Sequence, residues 1–381
     1  MWAVHAVRGV PGKRALLVIA QKNSSAVVEL PNGDPRWAAF ASGHPEGLVY
    51  HHPAWSKVIE RAYGHQPLAL GYQDADGNLR GVLPLFRTRG LVTGRRLSSL
   101  PRTPVAGPLA DDDTAMAALV EAAIGRVLAG ESAWLEVKTA SPHIGELVAG
   151  MASARWDPTY VLELPSTPDE IRFGNSRNHG RITWAVKKAA RNGVRLRTAE
   201  TVADLRSWYS LYLEAMRSHA VPPRPFGFFA AIWDFLRPLN LARLILAERP
   251  AGNHAAVVAG SFFLMSSATV LYAFNGRRRS ELSLRPNDFI QWHAIHDACH
   301  NGFRRYDFGE VTDDQHGLAE FKSKWQAEPK SLFRYYFPAE RKGHGSKLRS
   351  GGRIHRTAAH AWRRLPLPIT ELVGARLDRH L

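Results

Sequence analysis

Apolar and polar positions along the chain predict one order of elements that occurs twice. In the first half, an aromatic-led helix over residues 55–63 precedes a strand over 68–72, an Asp-Gly-Asn turn and a second strand. In the second half, a helix over residues 228–236 precedes a strand over 243–248, a Gly-Asn turn and a strand over 257–264. Both halves are therefore predicted to begin with the same helix and hairpin.

The correspondence continues further along each half. Apolar residues three and four apart predict a helix with one apolar face over residues 116–127, followed by a strand over 134–138. In the second half, the Pro-Asn-Asp sequence at 286–288 supplies the start signals of a helix. That helix ends at the Asn-Gly pair at 301–302, and a strand over residues 306–308 follows.

The two copies are separated by a nearly constant offset. Gly81 and Gly260 are 179 residues apart, and Gly130 and Gly302 are 172 residues apart. This regularity predicts a duplicated α/β domain rather than an array of short repeats, and the Ser/Thr/Pro cluster near Pro165 marks the boundary. We predict a poorly ordered N-terminal extension, or a start codon placed too early, then two domains and a basic tail: 1–25, 26–166, 167–340 and 341–381.

Basic residues exceed acidic ones by 50 to 34, and the excess is unevenly distributed. From residue 341 to the end there are ten basic and two acidic residues, and a second basic segment runs from Arg172 to Arg197. Such a field attracts phosphorylated precursors, RNA or an anionic membrane surface, or it is simply a solvated basic face. We expect the tail, which contains a short amphipathic stretch over residues 369–377, to pack loosely or not at all.

Some classes of protein are excluded by the sequence. No apolar run approaches the roughly 18 residues of a membrane span, so we expect a cytoplasmic protein, located at the inner face of the membrane if the tail binds lipid. Cys299 is the only cysteine, which excludes an intramolecular disulfide and cysteine-rich metal sites. His293, His296 and His300 share one predicted helix, but no His-Glu-x-x-His pattern accompanies them, and we predict no metal.

Short motifs stand in a recognisable order in both halves. The second half contains Arg285-Pro286-Asn287-Asp288, Gln291-Trp292, Gly302, Tyr306-Asp307-Phe308-Gly309, Phe321-Lys322 and Trp325. The first half contains His52-Pro53-Ala54-Trp55, Gly64-His65, Gly81-Val82-Leu83-Pro84-Leu85, Leu100-Pro101 and Gly107-Pro108. Over about residues 26–340 the chain resembles the Fem family of peptidoglycan bridge-forming aminoacyl transferases. It also resembles the wider FemAB-like group of tandem GNAT-fold acyltransferases, including exopolysaccharide- and exosortase-associated relatives.

This resemblance implies two GNAT-like domains with mixed sheets that face a shared cleft, the second domain being catalytic. Fem-type members transfer an aminoacyl group from tRNA to an amine, and other GNAT enzymes use acyl-CoA. Members that use CoA usually present a glycine-containing loop that cradles the pyrophosphate, whereas residues 277–284 contain no glycine. The resemblance implies no permanently bound cofactor, a donor that is aminoacyl-tRNA or acyl-CoA, and a small-molecule or lipid-linked acceptor. It also implies a monomer, because two domains in one chain already form the pair.

Three positions depart from the family pattern. Ile59 stands where Fem enzymes have a lysine, which argues against a nucleotide-linked muropeptide as acceptor. Glu310 replaces an arginine that often follows the Asp-Phe-Gly sequence, and Gln326 replaces a glycine that often follows the tryptophan.

Acyl transfer to an amine requires a neutral nucleophile, positive charge facing the developing oxyanion, and exclusion of water. The resemblance places the Lys322 ammonium beside the acyl-transfer centre, with Phe321 as an apolar wall. Asp307 could accept a proton or orient the amine, or it could form a turn at the end of its strand. The candidate substrate-binding residues are Tyr272, Asn287 and Trp292, together with Arg181, Lys187 and Lys188 on a basic helix that suits phosphate.

Each of these binding candidates also has a structural interpretation. Tyr272 could be a half-buried strand residue, Asn287 a helix cap and Trp292 part of the core. The leading hypothesis is N-acyl or aminoacyl transfer to an amine on a cell-envelope or exopolysaccharide precursor. An acyl-CoA-dependent GNAT N-acetyltransferase and a non-catalytic polyanion-binding protein on the same scaffold remain as alternatives.

Overall fold

The computed structural model describes residues 26–90, 94–252, 254–342 and 353–380, so the predicted extension over residues 1–25 lies outside the described part of the chain. The strands are β1 (Ala26–Leu30), β2 (Gln66–Gln73), β3 (Leu79–Gly90), β4 (Gly94–Ser98), β5 (Leu109–Ala110), β6 (Leu135–Thr139), β7 (Ala152–Glu163), β8 (Arg195–Thr198), β9 (Ala242–Ala251), β10 (His254–Ser266), β11 (Thr269–Arg277), β12 (Arg305–Glu310) and β13 (Glu328–Phe337). The helices are α1 (Pro35–Gly43), α2 (Pro53–Tyr63), α3 (Asp113–Leu128), α4 (Ile144–Leu147), α5 (Ser176–Arg191), α6 (Val202–His219), α7 (Phe226–Phe235), α8 (Pro286–His300), α9 (His316–Lys324), α10 (Arg353–Arg364) and α11 (Leu367–His380).

The 13 strands of the described residues form one sheet, in which the strands of the second half are arranged as a mirror image of their equivalents in the first half. The order is β1-β2-β3-β4-β6-β13-β7-β12-β11-β10-β9-β8, with β5 paired to β3 at the side. Four strands of the first half have their sequence equivalents at the mirrored positions: β2 corresponds to β9, β3 to β10, β4 to β11 and β6 to β12. The two halves are therefore built on the same plan, as the repeated pattern predicts.

The last strands of the two halves are exchanged at the centre of the sheet. β13, from the end of the second half, pairs antiparallel with β6 of the first half. β7, from the end of the first half, pairs antiparallel with β12 of the second. β7 and β13 also pair with each other, so each half completes the sheet of the other.

A gap opens in the second half between two parallel strands. β11 and β12 pair over Thr269–Leu271 and Arg305–Asp307, where their pairing ends. Beyond Leu271 and Asp307 the strands diverge, and their separated ends face the first half. In the first half, β4 and β6 are the equivalent parallel pair.

The two halves also share a hydrophobic core beside the sheet. Helix α2 packs against helix α7, and the aromatic side chains at their interface belong to one buried cluster. Trp55 meets Phe228 edge to face with ring centroids 6.0 Å apart, and Tyr63 lies 5.9 Å from the same ring. Such aromatic contacts add to the burial of apolar area in fixing how the helices pack.

The C-terminal tail differs from the expectation of loose packing. It forms helices α10 and α11, and both contact α6. Thr370 is buried, and a Cβ atom placed on Gly374 would lie 2.3 Å from Cδ of Pro223. The Arg217 guanidinium donates to the carbonyl of Leu365 at 3.2 Å. The small residues let α11 approach closely, which the basic excess of the tail as a whole concealed in the sequence.

Candidate active site

A cavity of about 1090 Å³ lies where the gap between β11 and β12 faces the first half. The first half contributes Tyr50, Trp55, Arg102 and Pro104 to its lining. The second half contributes the end of α6, the segment 221–224, the separated ends of β11 and β12, and α9. The cavity is therefore the shared cleft that the family resemblance implies.

Lys322 lines this cavity and is only 3% exposed. Its Nζ atom donates to the backbone carbonyls of Gly309 at 2.8 Å and Glu310 at 3.0 Å. Burial lowers the pKa of Lys322 to about 8, while the charges of Asp307 and Glu310 oppose that shift. An ammonium with three donors can satisfy both carbonyls and still present a proton to a ligand.

The backbone beside Lys322 explains how two carbonyls converge on one ammonium. Gly309 has φ +80°, a left-handed conformation that favours glycine, and it turns the chain at the end of β12. Lys322 lies on α9, where Phe321 also lines the cavity and packs 6.5 Å from the ring of the buried Trp325. Phe321 thus supplies the apolar wall expected beside the lysine.

Asp307 does not line the cavity. Its buried carboxylate accepts hydrogen bonds from the Thr159 hydroxyl and, at 2.7 Å, from the backbone N–H of Gly309. Burial raises the pKa of Asp307, while these hydrogen bonds and the Lys322 charge act in the opposite direction. The structure therefore favours the turn-forming role of Asp307 over direct contact with a substrate.

Tyr272, Asn275 and Asn287 supply polar groups to the cavity, and all three line it. The Asn275 amide donates to Ser261 Oγ at 3.1 Å and Asn287 Oδ1 at 3.4 Å, while its own Oδ1 is buried without a hydrogen-bond partner among the described residues. Burial raises the pKa of Tyr272 to about 12, so its hydroxyl stays protonated. Sequence reasoning found Tyr272 and Asn287 but not Asn275, although an asparagine inside a strand is an unusual choice.

A cationic wall, which sequence reasoning also missed, lies near the first half. The Arg224 guanidinium donates to Tyr63 Oη at 3.2 Å and to the carbonyl of Arg102 at 2.6 Å, and it lies over the Phe228 ring at 4.7 Å. Arg102 has φ +68°, and Arg277 contacts His219 Nε2 at 3.3 Å. All of these arginines line the cavity. Two come from loops or turns, where periodicity gives no signal.

The remaining predicted substrate-binding residues lie outside the cavity. Trp292 stacks on His296 with ring centroids 4.2 Å apart and meets Phe173 edge to face. Arg181 and Lys187 are exposed on α5, and Lys188 lies 5.2 Å above the Trp184 ring. The apolar face of α5 packs against α8, and its basic face points outward as a consequence. These four residues therefore need a role other than direct contact in this cavity.

The first turn of α8 carries its own anionic group. Asp288 is buried there, and its carboxylate accepts a hydrogen bond from the Lys324 ammonium. The preceding segment Arg279–Leu284 is a short 3-10 helix rather than a glycine loop. A phosphate bound at this helix N-terminus would meet the Asp288 charge.

The described ranges contain neither a cluster of metal ligands nor a membrane-spanning helix. No group of three or more His, Cys, Asp or Glu side chains there could hold a metal ion. His296 is instead 2.8 Å from the carbonyl of Trp292 through its Nδ1 atom. Within the same ranges, no helix combines the length and apolarity needed to cross a bilayer.

The mirrored sheet, the parallel strands that diverge beside a helix N-terminus and the cavity between the halves together define a tandem GNAT fold. The family profile for the acetyltransferase (GNAT) domain matches residues 176–323. The chain is therefore an acyltransferase by class. None of the curated proteins compared with it gives a significant match.

Solved structures confirm the Fem-like fold. FemX is 14% identical, with a TM-score of 0.64 over 81% of this chain and 96% of FemX. L-PGS from Bacillus licheniformis is 9% identical, with a TM-score of 0.54 over 86% of this chain and 98% of that one. The C-terminal domain of a putative lysylphosphatidylglycerol synthetase from Agrobacterium fabrum is 10% identical, with a TM-score of 0.54 over 84% of this chain and 95% of that domain. At these identities the likeness concerns the fold alone.

Proposed function

We propose that the protein transfers an acyl or aminoacyl group to an amine on a cell-envelope or exopolysaccharide precursor, within the cavity between its halves. The observation that carries this proposal is the Lys322 ammonium, which is buried, lines the cavity and is anchored to two carbonyls at 2.8 and 3.0 Å. A charge held rigidly in a site that excludes water stabilises a developing oxyanion far better than a charge in bulk water.

The proposed reaction proceeds without a covalent enzyme intermediate. The neutral amine nitrogen attacks the donor carbonyl carbon, and the carbonyl oxygen becomes an oxyanion that faces Lys322. When this intermediate collapses, the new C–N bond remains, the donor oxygen or sulfur leaves, and the proton lost by the amine passes to the leaving group. In this proposal Glu310 and Asp314, two carboxylates of the cavity lining, attract the acceptor amine and relay that proton.

The donor we favour is aminoacyl-tRNA rather than acyl-CoA. Asp288 occupies the first turn of α8, and the Arg279–Leu284 segment before it replaces a glycine loop. The missing glycine loop opposes a CoA pyrophosphate at this helix N-terminus, and Asp288 there is already paired with the Lys324 ammonium. The exposed basic face of α5, with Arg181 and Lys187, suits the phosphates of an RNA outside the cavity.

Replacing Lys322 tests the proposed chemistry. We expect Lys322→Met to lower kcat for acyl transfer by about 10²–10³-fold, because one oxyanion-stabilising group is removed. The measurement is transfer of a radiolabelled acyl group to an amine acceptor, with aminoacyl-tRNA and acyl-CoA supplied in parallel reactions. Methionine keeps the unbranched apolar stem, and the thermal midpoint of each variant reports on folding.

Lys330→Met is the matched control, because Lys330 is exposed on β13 and does not line the cavity. It should retain the wild-type rate. Full activity of Lys322→Met would contradict the proposed mechanism. Transfer from acyl-CoA but not from aminoacyl-tRNA would contradict the proposed donor and leave the role of Lys322 intact.

A further inference from the structure

Helix α11 carries an apolar face that is exposed. Ile369, Leu372, Val373 and Leu377 project from it and are all among the exposed large apolar residues of the described chain; we call them the α11 face. Their spacing of three, one and four residues places them on one side of the helix. The adjacent flank of the helix, with Thr370 and Gly374, is the side buried against the rest of the protein. The helix is thus packed on one side and apolar on the side left to solvent.

Positive charge lies within the α11 face and before its first residue. Arg376 is exposed on the same side of the helix, and Arg363 and Arg364 are exposed at the end of α10 just before it. Arg363 also donates to the carbonyl of Ser218 at 3.2 Å, which fixes this end of α10 against α6. Exposed aliphatic side chains bordered by arginines are typical of helices that lie in the interface of an anionic membrane.

The α11 face lies close to the mouth of the cavity. Gly374 packs on Pro223, and its neighbours Val221, Pro222 and Arg224 all line the cavity. Three lining residues are themselves exposed aliphatic side chains, namely Val221, Leu282 and Leu318. The cavity therefore opens through an apolar rim next to an apolar helix.

We propose that the α11 face docks on an anionic lipid bilayer and brings the mouth of the cavity to the membrane surface. The arginines complement the charge of anionic headgroups, and their long side chains can reach those headgroups while the aliphatic residues enter the acyl region. A second copy of the chain on the same face would place Arg376 and Arg364 beside other arginines, so charge disfavours that occupant. The docking does not depend on the proposed acyl transfer, and its test needs no activity.

Sedimentation with vesicles tests the docking. The full chain is mixed with vesicles of phosphatidylglycerol and phosphatidylcholine, or of phosphatidylcholine alone, and the bound fraction is measured. We expect binding to the anionic vesicles and its loss at high salt. Leu372→Gln should weaken that binding by about tenfold, because one leucine is withheld from the acyl region. The double variant Arg364→Gln/Arg376→Gln should also bind anionic vesicles more weakly, because it lacks two of the arginines that contact the anionic headgroups.

The matched control is Leu128→Gln at the end of α3. Leu128 is 74% exposed and Leu372 is 72% exposed, so neither replacement disturbs the core. Wild-type binding by the Leu128 variant, together with weak binding by the Leu372 variant, supports the proposal. Equal binding by the two variants, or no binding of the wild type to anionic vesicles, overturns it. The alternative is that the protein dimerises through this face. Dimers that form without lipid as the protein concentration rises, and that Leu372→Gln dissociates, would overturn the membrane proposal in favour of self-association.

Discussion

Lys322 combines burial with a charge that remains available near neutral pH. Burial lowers its pKa to about 8, from an ordinary value of 10.5. The side chain is therefore mostly protonated at pH 7 and loses its charge as the pH rises through about 8. A group tuned to this range can respond to small changes in the charge of a bound ligand.

The pH dependence of transfer should show this titration. With saturating substrates, we expect the rate to fall above pH about 8, because neutral Lys322 no longer stabilises the oxyanion. Ionisation of the acceptor amine acts in the opposite direction, since that amine becomes nucleophilic as the pH rises. Lys322→Arg stays charged throughout and should lack the descending limb, whatever its absolute rate. If the rate of the Lys322→Arg variant still falls above pH about 8, the fall is due to the titration of another group.

Sequence reasoning identified the centre of the site better than its edges. Lys322, Phe321, Tyr272 and Asn287 line the cavity, and all but Tyr272 belong to ordered motifs of the second half. Arg102 comes from the other half through a loop with positive φ at two positions, which no periodicity reveals. Likewise, the pattern on α5 showed that the helix is amphipathic but not which neighbour its apolar face would cover.

Strand β11 and helix α6 lie unusually close together, because Gly276 has no side chain to hold them apart. A Cβ atom on Gly276 would lie 2.7 Å from the backbone nitrogen of Tyr212 and 3.1 Å from the carbonyl oxygen of Trp208. Gly260 is similarly covered by Trp208, whose indole N–H donates to the Gly260 carbonyl at 2.9 Å. Backbone cannot move aside as a flexible side chain can, so this contact fixes the cavity wall that β11 forms.

Replacing Gly276 should therefore be costly. We expect Gly276→Ala to lower the free energy of unfolding by about 2–3 kcal/mol through overpacking. Gly125→Ala is the control, because Gly125 lies within α3 with nothing within 4 Å of its added Cβ atom. It should raise stability by about 0.5–1 kcal/mol through its helix propensity. Urea unfolding measures both, and equal effects of the two variants would refute the close contact.

The exchange of β7 and β13 makes the two halves one structural unit. Each strand fills a place in the sheet of the other half, and α2 and α7 share one core. The elements of the repeat could be predicted because helix and strand periods are local. The exchange could not be predicted, since a strand has the same alternation whichever neighbour it pairs with.

Thermal unfolding should reflect this unity. We expect a single cooperative transition in scanning calorimetry, because neither half can keep its sheet once the other has unfolded. Two independent domains joined by a linker would instead give two transitions. Resolved transitions that can be assigned to the halves by limited proteolysis would contradict the expectation.

The exchange also affects how the chain folds during synthesis. β6 ends at Thr139, and its partner β13 begins at Glu328, which is 189 positions further along the chain. At ribosomal rates of about 5–20 residues per second, the edge of β6 waits roughly 10–40 s for its partner. During that interval the nascent first half presents an open strand edge, which is a site for mispairing or for a chaperone.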